Sequence, residues 1–194
     1  MKLMNKPDSW PRYIMIGIFL LVLLYPLAGQ ESYEDNFNKS LTTNRAGMFV
    51  LGSWAIANIG IGAYGWSAFE DQKKYFHQMN LFWNTVNLSI AGFAIYNNIH
   101  TDPSTMSATD LLAQQRKTEN LYLINAGLDI GYMSAGLYLR HLASKKTKNK
   151  ELLKGYGNAV ILQGAFLFVF DLVMWGILKS DRIVFQQDVS VGFM

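Results

Sequence analysis

Two aspartates and two asparagines interrupt the long apolar stretches of this chain: Asn58, Asn87, Asp129 and Asp171. A carboxylate among apolar side chains is costly, so such residues are usually functional or paired. Two acids close together without a cation favour one shared proton, because like charges disfavour double ionisation. Alternatively, carboxylate and asparagine oxygens could coordinate a bound cation. A third interpretation has no ligand: protonated acids donate hydrogen bonds to the asparagines and serve only to fix packing.

Other catalytic patterns are not recognisable in the sequence. The chain has no cysteine, which excludes disulfides, thiolate metal sites and a cysteine nucleophile. No Ser/His/Asp set, Gly-rich phosphate loop or metalloprotease helix stands out. His77 and His141 could hold a haem, although interfacial histidines are more often polar anchors. We therefore predict no catalytic residue, leave a metal undecided and expect no cofactor.

Five apolar segments must position the four polar residues. They cover 13–29, 46–68, 80–99, 120–139 and 158–178. Each is close to the ~20 residues that cross a bilayer as a helix. Tyrosines and tryptophans mark many of the segment ends, as in the aromatic belts of membrane proteins. The sequence predicts an all-α membrane protein: a four-helix transmembrane bundle of two tandem helical hairpins, preceded by an N-terminal anchor helix or a signal peptide.

The first apolar segment allows both of those interpretations. Its core, YIMIGIFLLVLLY, is short for a span and fits a signal peptide with PLAGQ as the cleavage site. The long leader contains Trp and Pro, and Pro26 at the −3 position is a poor fit for cleavage. Residues 1–29 are therefore either a retained anchor or a removed signal, and 30–194 form the four-helix domain.

Lysines and arginines predict the orientation. The net charge is +3, and cations concentrate before the first apolar segment, between the second and third, and between the fourth and fifth. The last group includes Lys145, Lys146, Lys148, Lys150 and Lys154. Lysine-rich loops between membrane spans stay on the cytoplasmic side, and this accounts for the cluster. We therefore do not expect the lysines to bind nucleic acid. We predict a multi-pass protein of the inner membrane, with a cytoplasmic N-terminus if the first helix is retained and the C-terminus outside.

An internal duplication relates the apolar segments. The second and fourth align when 71 is added to each residue number, and the third and fifth when 84 is added. In this alignment, ANIGIGAYG pairs with LDIGYMSAG, and NLSIAG pairs with DLVMWG. Two matches pair polar residues: Asn58 with Asp129, and Asn87 with Asp171. We predict two repeat units, about 36–100 and 107–180, that place these four side chains around one axis.

A polar stripe follows the third apolar segment. Its residues recur at steps of three and four: His77, Asn80, Asn84, Asn87 and Asn98. At ~3.6 residues per turn they share one face of a helix. Amides in hydrocarbon need partners, so we expect this face to contact other helices and not lipid.

One stretch reads NRAGMFVLGSWAIANIGIGAYGW and is followed by KYFHQMNLFWNTVNLSIAGF. This part of the chain, about 37–93, resembles a family of uncharacterised bacterial multi-pass membrane proteins, a domain of unknown function. The resemblance implies a bacterial, inner-membrane protein. It implies no activity, so it assigns no catalytic residue.

Three classes of function follow from these observations. We expect first a structural or accessory subunit of a membrane complex or oligomer, whose partners are the bilayer and other subunits or copies of itself. The alternative is a small proton or cation transporter or channel that uses Asp129 and Asp171. A haem- or other cofactor-binding membrane protein is a distant third.

Overall fold

The computed structural model describes residues 32–145 and 148–192, with side chains as far as residue 187. Four α-helices fill these ranges: α1 Tyr33–Ala68, α2 Asp71–His100, α3 Ala108–Lys145 and α4 Lys150–Gly192. A short 3-10 helix, Pro103–Thr105, joins α2 to α3. No strand occurs within the described ranges. The predicted all-α class and the four helices are therefore confirmed, and the prediction for residues 1–29 lies outside the described residues.

Each helix is longer than the apolar segment predicted for it. α1 has 36 residues, α2 30, α3 38 and α4 43. Helical turns made of polar residues continue the apolar part without a break, so residues 181–192 are the last part of α4 and not a separate tail. Phe185 in this part is buried and meets the Tyr33 ring edge to face at 5.0 Å. The end of α4 thus packs against the start of α1.

A serine begins each hairpin. The Ser32 hydroxyl oxygen accepts a hydrogen bond from the backbone N–H of Asp35 at 3.0 Å, and Ser107 accepts one from Asp110 at 3.2 Å. Such caps satisfy N–H groups that the first helical turn leaves without partners. The two aspartates also place negative charge at the positive end of the helix dipole. The same local pattern therefore starts α1 and α3.

The helices pack as two hairpins, α1 with α2 and α3 with α4, and contact between α2 and α4 joins them. The turns at 69–70 and 148–149 lie together at one end of the bundle, called here the turn end. The start of α1 and the end of α4 lie at the opposite terminal end. α2 and α3 scarcely touch each other, and this leaves a gap between them.

Glycines allow the two hairpins to be tight. A Cβ on Gly136 would lie 2.7 Å from the carbonyl oxygen of Gly157, and a Cβ on Gly157 would lie 2.7 Å from that of Gly136. Only hydrogen fits at this crossing of α3 and α4. In the first hairpin, Gly65 lies in the same way against the His77 ring. Gly65 and Gly136 are matched positions of the duplication, which stays a prediction.

Acids and amides occupy the interior of the bundle, and large apolar side chains occupy much of its surface. The buried polar residues include Asn36, Asn58, Asn80, Asn84, Asn87, Gln115, Glu119, Asp129, Gln163 and Asp171. The exposed apolar residues include Phe49, Ile56, Phe82, Phe93, Ile124, Leu137, Val169 and Val173. Among the described residues, two helices are long and apolar enough to cross a membrane: α1 and Lys150–Gln187 of α4.

Replacing Gly157 with alanine should lower the free energy of unfolding by about 1–3 kcal/mol, because the methyl group overpacks the α3–α4 crossing. Gly92→Ala is the matched control, since nothing lies within 4 Å of a Cβ there. Alanine is preferred over glycine in a helix by roughly 0.5–1 kcal/mol, so this variant should be slightly more stable than the wild type. Denaturant unfolding followed by circular dichroism measures both. Equal stability of the two variants would contradict the close-contact role of Gly157.

Candidate ligand-binding site

All four helices line one cavity of about 350 Å³ near the middle of the bundle. Its acids and amides are Asn87 of α2, Asn125 and Asp129 of α3, and Asp171 of α4, and its other lining residues are aliphatic or aromatic. Asp129 is only 2% exposed and Asp171 only 5%. Small-molecule sites typically have volumes of ~300–1,000 Å³ and apolar walls with a few convergent polar groups. The cavity has this composition.

The two carboxyl groups meet on this cavity. Asp129 and Asp171 are neighbours on this cavity, and the charge of each affects the other. Two ionised carboxylates in such a place repel each other, so the pair favours a state in which one of them carries a proton. The Oδ2 atom of Asp129 is buried and meets no donor from the described residues. No lysine, arginine or histidine of the described ranges lines the cavity. The pair can therefore accept a proton or an external cation.

Three of the four residues paired by the predicted duplication lie at this cavity, and Asn58 does not. Asn87 lines the cavity, and its amide nitrogen donates to Asn84 Oδ1 at 3.4 Å. Asn58 instead donates to the backbone carbonyl of Trp54, one turn earlier in α1, at 2.9 Å. The expectation that all four would meet around one axis therefore needs correction. α1 reaches the cavity with Met48 and Leu51, and Asn58 lies about two turns further along α1, towards the turn end, where its amide bonds within its own helix.

The polar stripe of α2 faces other helices, as its spacing predicts. Asn80 is 3% exposed and Asn84 is fully buried. The Asn84 amide donates to the backbone carbonyl of Asn80 at 2.8 Å. Further along the stripe, the side-chain oxygen Oδ1 of Asn98 accepts a hydrogen bond from the Asn44 amide of α1 at 3.4 Å. The stripe is thus part of the interior, and a ligand-binding role for it stays a prediction.

The two histidines considered for haem have different surroundings. The His77 ring stacks on Phe69 with 5.3 Å between ring centroids, and its Nδ1 is buried without a hydrogen-bond partner among the described residues. His141 is exposed near the end of α3. Within the described ranges, no group of three or more His, Cys, Asp or Glu residues is arranged to hold a metal ion. The haem hypothesis stays a prediction.

Gln163 of α4 is a central residue that the sequence analysis missed. It is fully buried, and its Oε1 accepts from the indole N–H of Trp54 at 3.0 Å. Its Nε2 donates to Asn80 Oδ1 at 2.9 Å. One amide thereby connects α1, α2 and α4, about two helical turns from Asp171 on the turn-end side. The available clue was a glutamine inside an apolar segment, since such amides usually bond between helices.

A buried ion pair lies on the terminal-end side of the acids. Arg182 of α4 donates to both carboxylate oxygens of Glu119 in α3, at 2.7 and 2.9 Å. A third bond joins Arg182 to Gln186 at 2.8 Å. Between this pair and the acids, the Tyr122 hydroxyl donates to Asn44 Oδ1. Sequence reasoning missed the pair because Glu119 and Arg182 are 63 residues apart and both lie just outside the apolar segments.

The family of unknown function DUF6992 matches residues 50–172, more than half of the chain, and the chain therefore belongs to this family. The match confirms the resemblance to a domain of unknown function. It includes both hairpins in part and contains the two acids and the two asparagines paired with them. No curated protein and no solved structure matches the chain.

Replacing Gln163 with leucine should lower the free energy of unfolding by about 1–3 kcal/mol, because the Trp54 N–H and the Asn80 carbonyl lose their partner. Trp54→Phe, introduced both into the wild type and into Gln163→Leu, is the control. Once Gln163 is gone, removing the indole N–H should cost less than it does in the wild type. Denaturant unfolding of the two single variants and the double variant measures this coupling. Additive effects would show that the bond contributes nothing to stability.

Proposed function

We propose that the protein is a four-span integral membrane protein that binds a proton or a monovalent cation at the Asp129–Asp171 pair and transports it. The observation that carries the proposal is the meeting of two buried carboxyl groups on one cavity, with no cationic side chain of the described residues beside them. This geometry favours transport over the accessory role expected first from the sequence.

A bilayer around the bundle accounts for its surface. Soluble proteins rarely expose large contiguous apolar patches, whereas here every helix has exposed apolar side chains. Amides and acids lie inside, where other helices supply their hydrogen bonds, as membrane helices require. α2 and α3 have more polar residues than α1 and α4, but much of that polarity faces inward and would not contact lipid. We therefore include all four helices among the spans.

The distribution of lysines supports one orientation. Exposed lysines of both inter-helix turns, including Lys73, Lys74, Lys148 and Lys150, lie at the turn end. By the positive-inside rule this end is cytoplasmic, and the Glu119–Arg182 pair is then near the outer side. The family resemblance adds a bacterial inner membrane to this proposal.

The ligand count favours a proton or a monovalent cation. Ca²⁺ takes six to eight oxygen ligands and Mg²⁺ needs a near-ideal octahedron. The described residues offer two carboxyl groups and the neighbouring amides of Asn87 and Asn125. A pair that shares one proton has one negative charge, and a second proton or one cation neutralises it. A neutral complex is easier to hold in apolar surroundings than a charged one.

Hydrogen-bonding side chains extend from the acid pair in both directions. Asn80 and Gln163 lie towards the turn end, and Tyr122 and Asn44 lie towards the terminal end. At ~1.5 Å per residue, Glu119 is roughly 15 Å from Asp129 along α3. These groups supply donors and acceptors on the way to either side of the bundle, which a transport route for protons requires.

Asp171→Asn and Asp129→Asn should each abolish proton or cation flux into liposomes, because an amide cannot take up a proton or balance a cation. Asp181→Asn is the matched control: it removes the same charge from the same helix at a partly exposed pair with Lys39, 3.6 Å away. Flux is measured with an entrapped pH dye and with sodium or potassium gradients, and circular dichroism checks folding. Absence of flux in the wild type rules out transport, and unchanged flux in Asp171→Asn rules out the acid pair as the transport site.

A subunit role is the second candidate, and one feature of α3 favours it. Gly127 and Gly131 lie four residues apart on an exposed face, and nothing is within 4 Å of a Cβ at either position. Small residues at this spacing let two membrane helices approach closely. We propose that this face packs against a second copy or another subunit.

Gly131→Leu should convert a purified dimer or larger assembly to a monomer, because the side chain blocks close approach of the helices. Gly92→Leu is the control, since Gly92 is equally open but has leucine and tyrosine four residues away on either side. Light scattering coupled to size-exclusion chromatography in mild detergent gives the mass. A wild-type protein that is monomeric in both detergent and nanodiscs would count against self-association.

A further inference from the structure

We infer that the cavity binds an amphiphilic organic amine, which enters sideways from the bilayer between α2 and α3. This inference rests on the proposed function, because it names the class of cation that the acid pair takes. Its ammonium group would lie at the two carboxyl groups and its hydrocarbon part along the apolar walls.

The cavity has a mainly apolar opening between two helices that do not pack together. Val86 and Ile90 of α2 and Leu128 of α3 line it and are 58%, 53% and 52% exposed, and the amide of Asn125 in α3 is exposed beside them. α2 and α3 scarcely touch along their length, so the opening faces sideways from the bundle. In a bilayer such an opening meets hydrocarbon, and the ligand that reaches it most readily is one that already dissolves there.

The inner wall of the cavity has the opposite character. Asp129 and Asp171 are almost fully buried, and Oδ2 of Asp129 has no donor from the described residues. An ammonium group has three N–H donors and a positive charge, so it satisfies both the vacant acceptor and the charge of a pair that shares one proton. Hydrogen bonds between ionised groups are about twice as strong as neutral ones. Charge complementarity therefore selects a cationic head group.

Aromatic and aliphatic side chains form the remaining walls. Trp83, Tyr132 and Phe170 line the cavity together with methionine and leucine side chains. A bare sodium or potassium ion gains little from such walls and would lose most of its hydration shell. An alkylammonium ion keeps apolar contact along its chain and can also interact with the aromatic faces. The lining thus favours an organic cation over an inorganic one.

The cavity is closed towards the turn end by a ring contact. Trp83 of α2 and Tyr132 of α3 meet edge to face, with 4.9 Å between ring centroids, and bridge the gap between the two helices. A partner helix is about 10 Å across and would need a groove that continues along the bundle. A small molecule fits the 350 Å³ space on the terminal-end side of this contact. The occupant is therefore a small molecule and not a transmembrane helix.

Quenching of Trp83 tests the inference directly. The full-length protein is placed in phosphatidylcholine nanodiscs and titrated with bromo-octylamine, whose bromine quenches tryptophan on contact. We expect saturable quenching that unbrominated octylamine reverses and that Trp83→Phe removes. Asp171→Asn should weaken binding at least about tenfold, the size of effect typical for loss of a charged hydrogen bond. Asp181→Asn should leave binding unchanged.

Neutral bromo-octanol separates site binding from partition into lipid. Equal, unsaturable quenching by the alcohol and the amine, insensitive to Asp171→Asn, overturns the inference. If Asp171→Asn does not fold, Val86→Phe serves instead: it narrows the exposed opening, keeps both acids and should weaken amine binding. Cation or proton flux without amine binding overturns this inference and leaves the proposed function in place. Amine binding without flux supports the site and overturns transport.

Discussion

The meeting of Asp129 with Asp171 is the interaction on which the rest of the arrangement depends. A carboxyl group inside an apolar bundle needs a partner, and here the two acids line the same cavity. This requires α3 and α4 to run close together over many turns. The crossing of Gly136 with Gly157, which leaves no room for a side chain, provides that closeness about two turns along α3 from Asp129.

The first hairpin is attached to α4 by hydrogen bonds between neutral side chains. Gln163 bonds to Trp54 and Asn80, and this holds α1 and α2 against α4. α2 then brings Asn87 to the acids and contributes one wall of the cavity. A neutral amide network suits this role because it fixes position without adding charge beside the pair. The cavity exists because α2 and α3 are both held by α4 and not by each other.

Much of this could be predicted from residue types and spacing, and the rest depends on packing. Apolar length predicted the four helices, and steps of three and four predicted that Asn80 and Asn84 face inward. The place of Asn58 could not be predicted, because it depends on how α1 is aligned lengthwise against α3 and α4. The Glu119–Arg182 bond joins residues far apart in the chain, and no local pattern identifies such a pair. The apolar segments also underestimated the lengths of the helices. Helical turns made of polar residues continue a helix without changing its backbone geometry.

Both acids belong to one hairpin, and this has a consequence for biogenesis. If α3 and α4 enter the bilayer together as a helical pair, Asp129 and Asp171 can already share their proton during insertion. The two acids could then pair before α3 and α4 assemble with α1 and α2. A chain with one acid in each hairpin would expose both to lipid until the hairpins assembled. In the proposed membrane protein, placing the two acids in adjacent helices would let the most polar part of the interior insert as one unit.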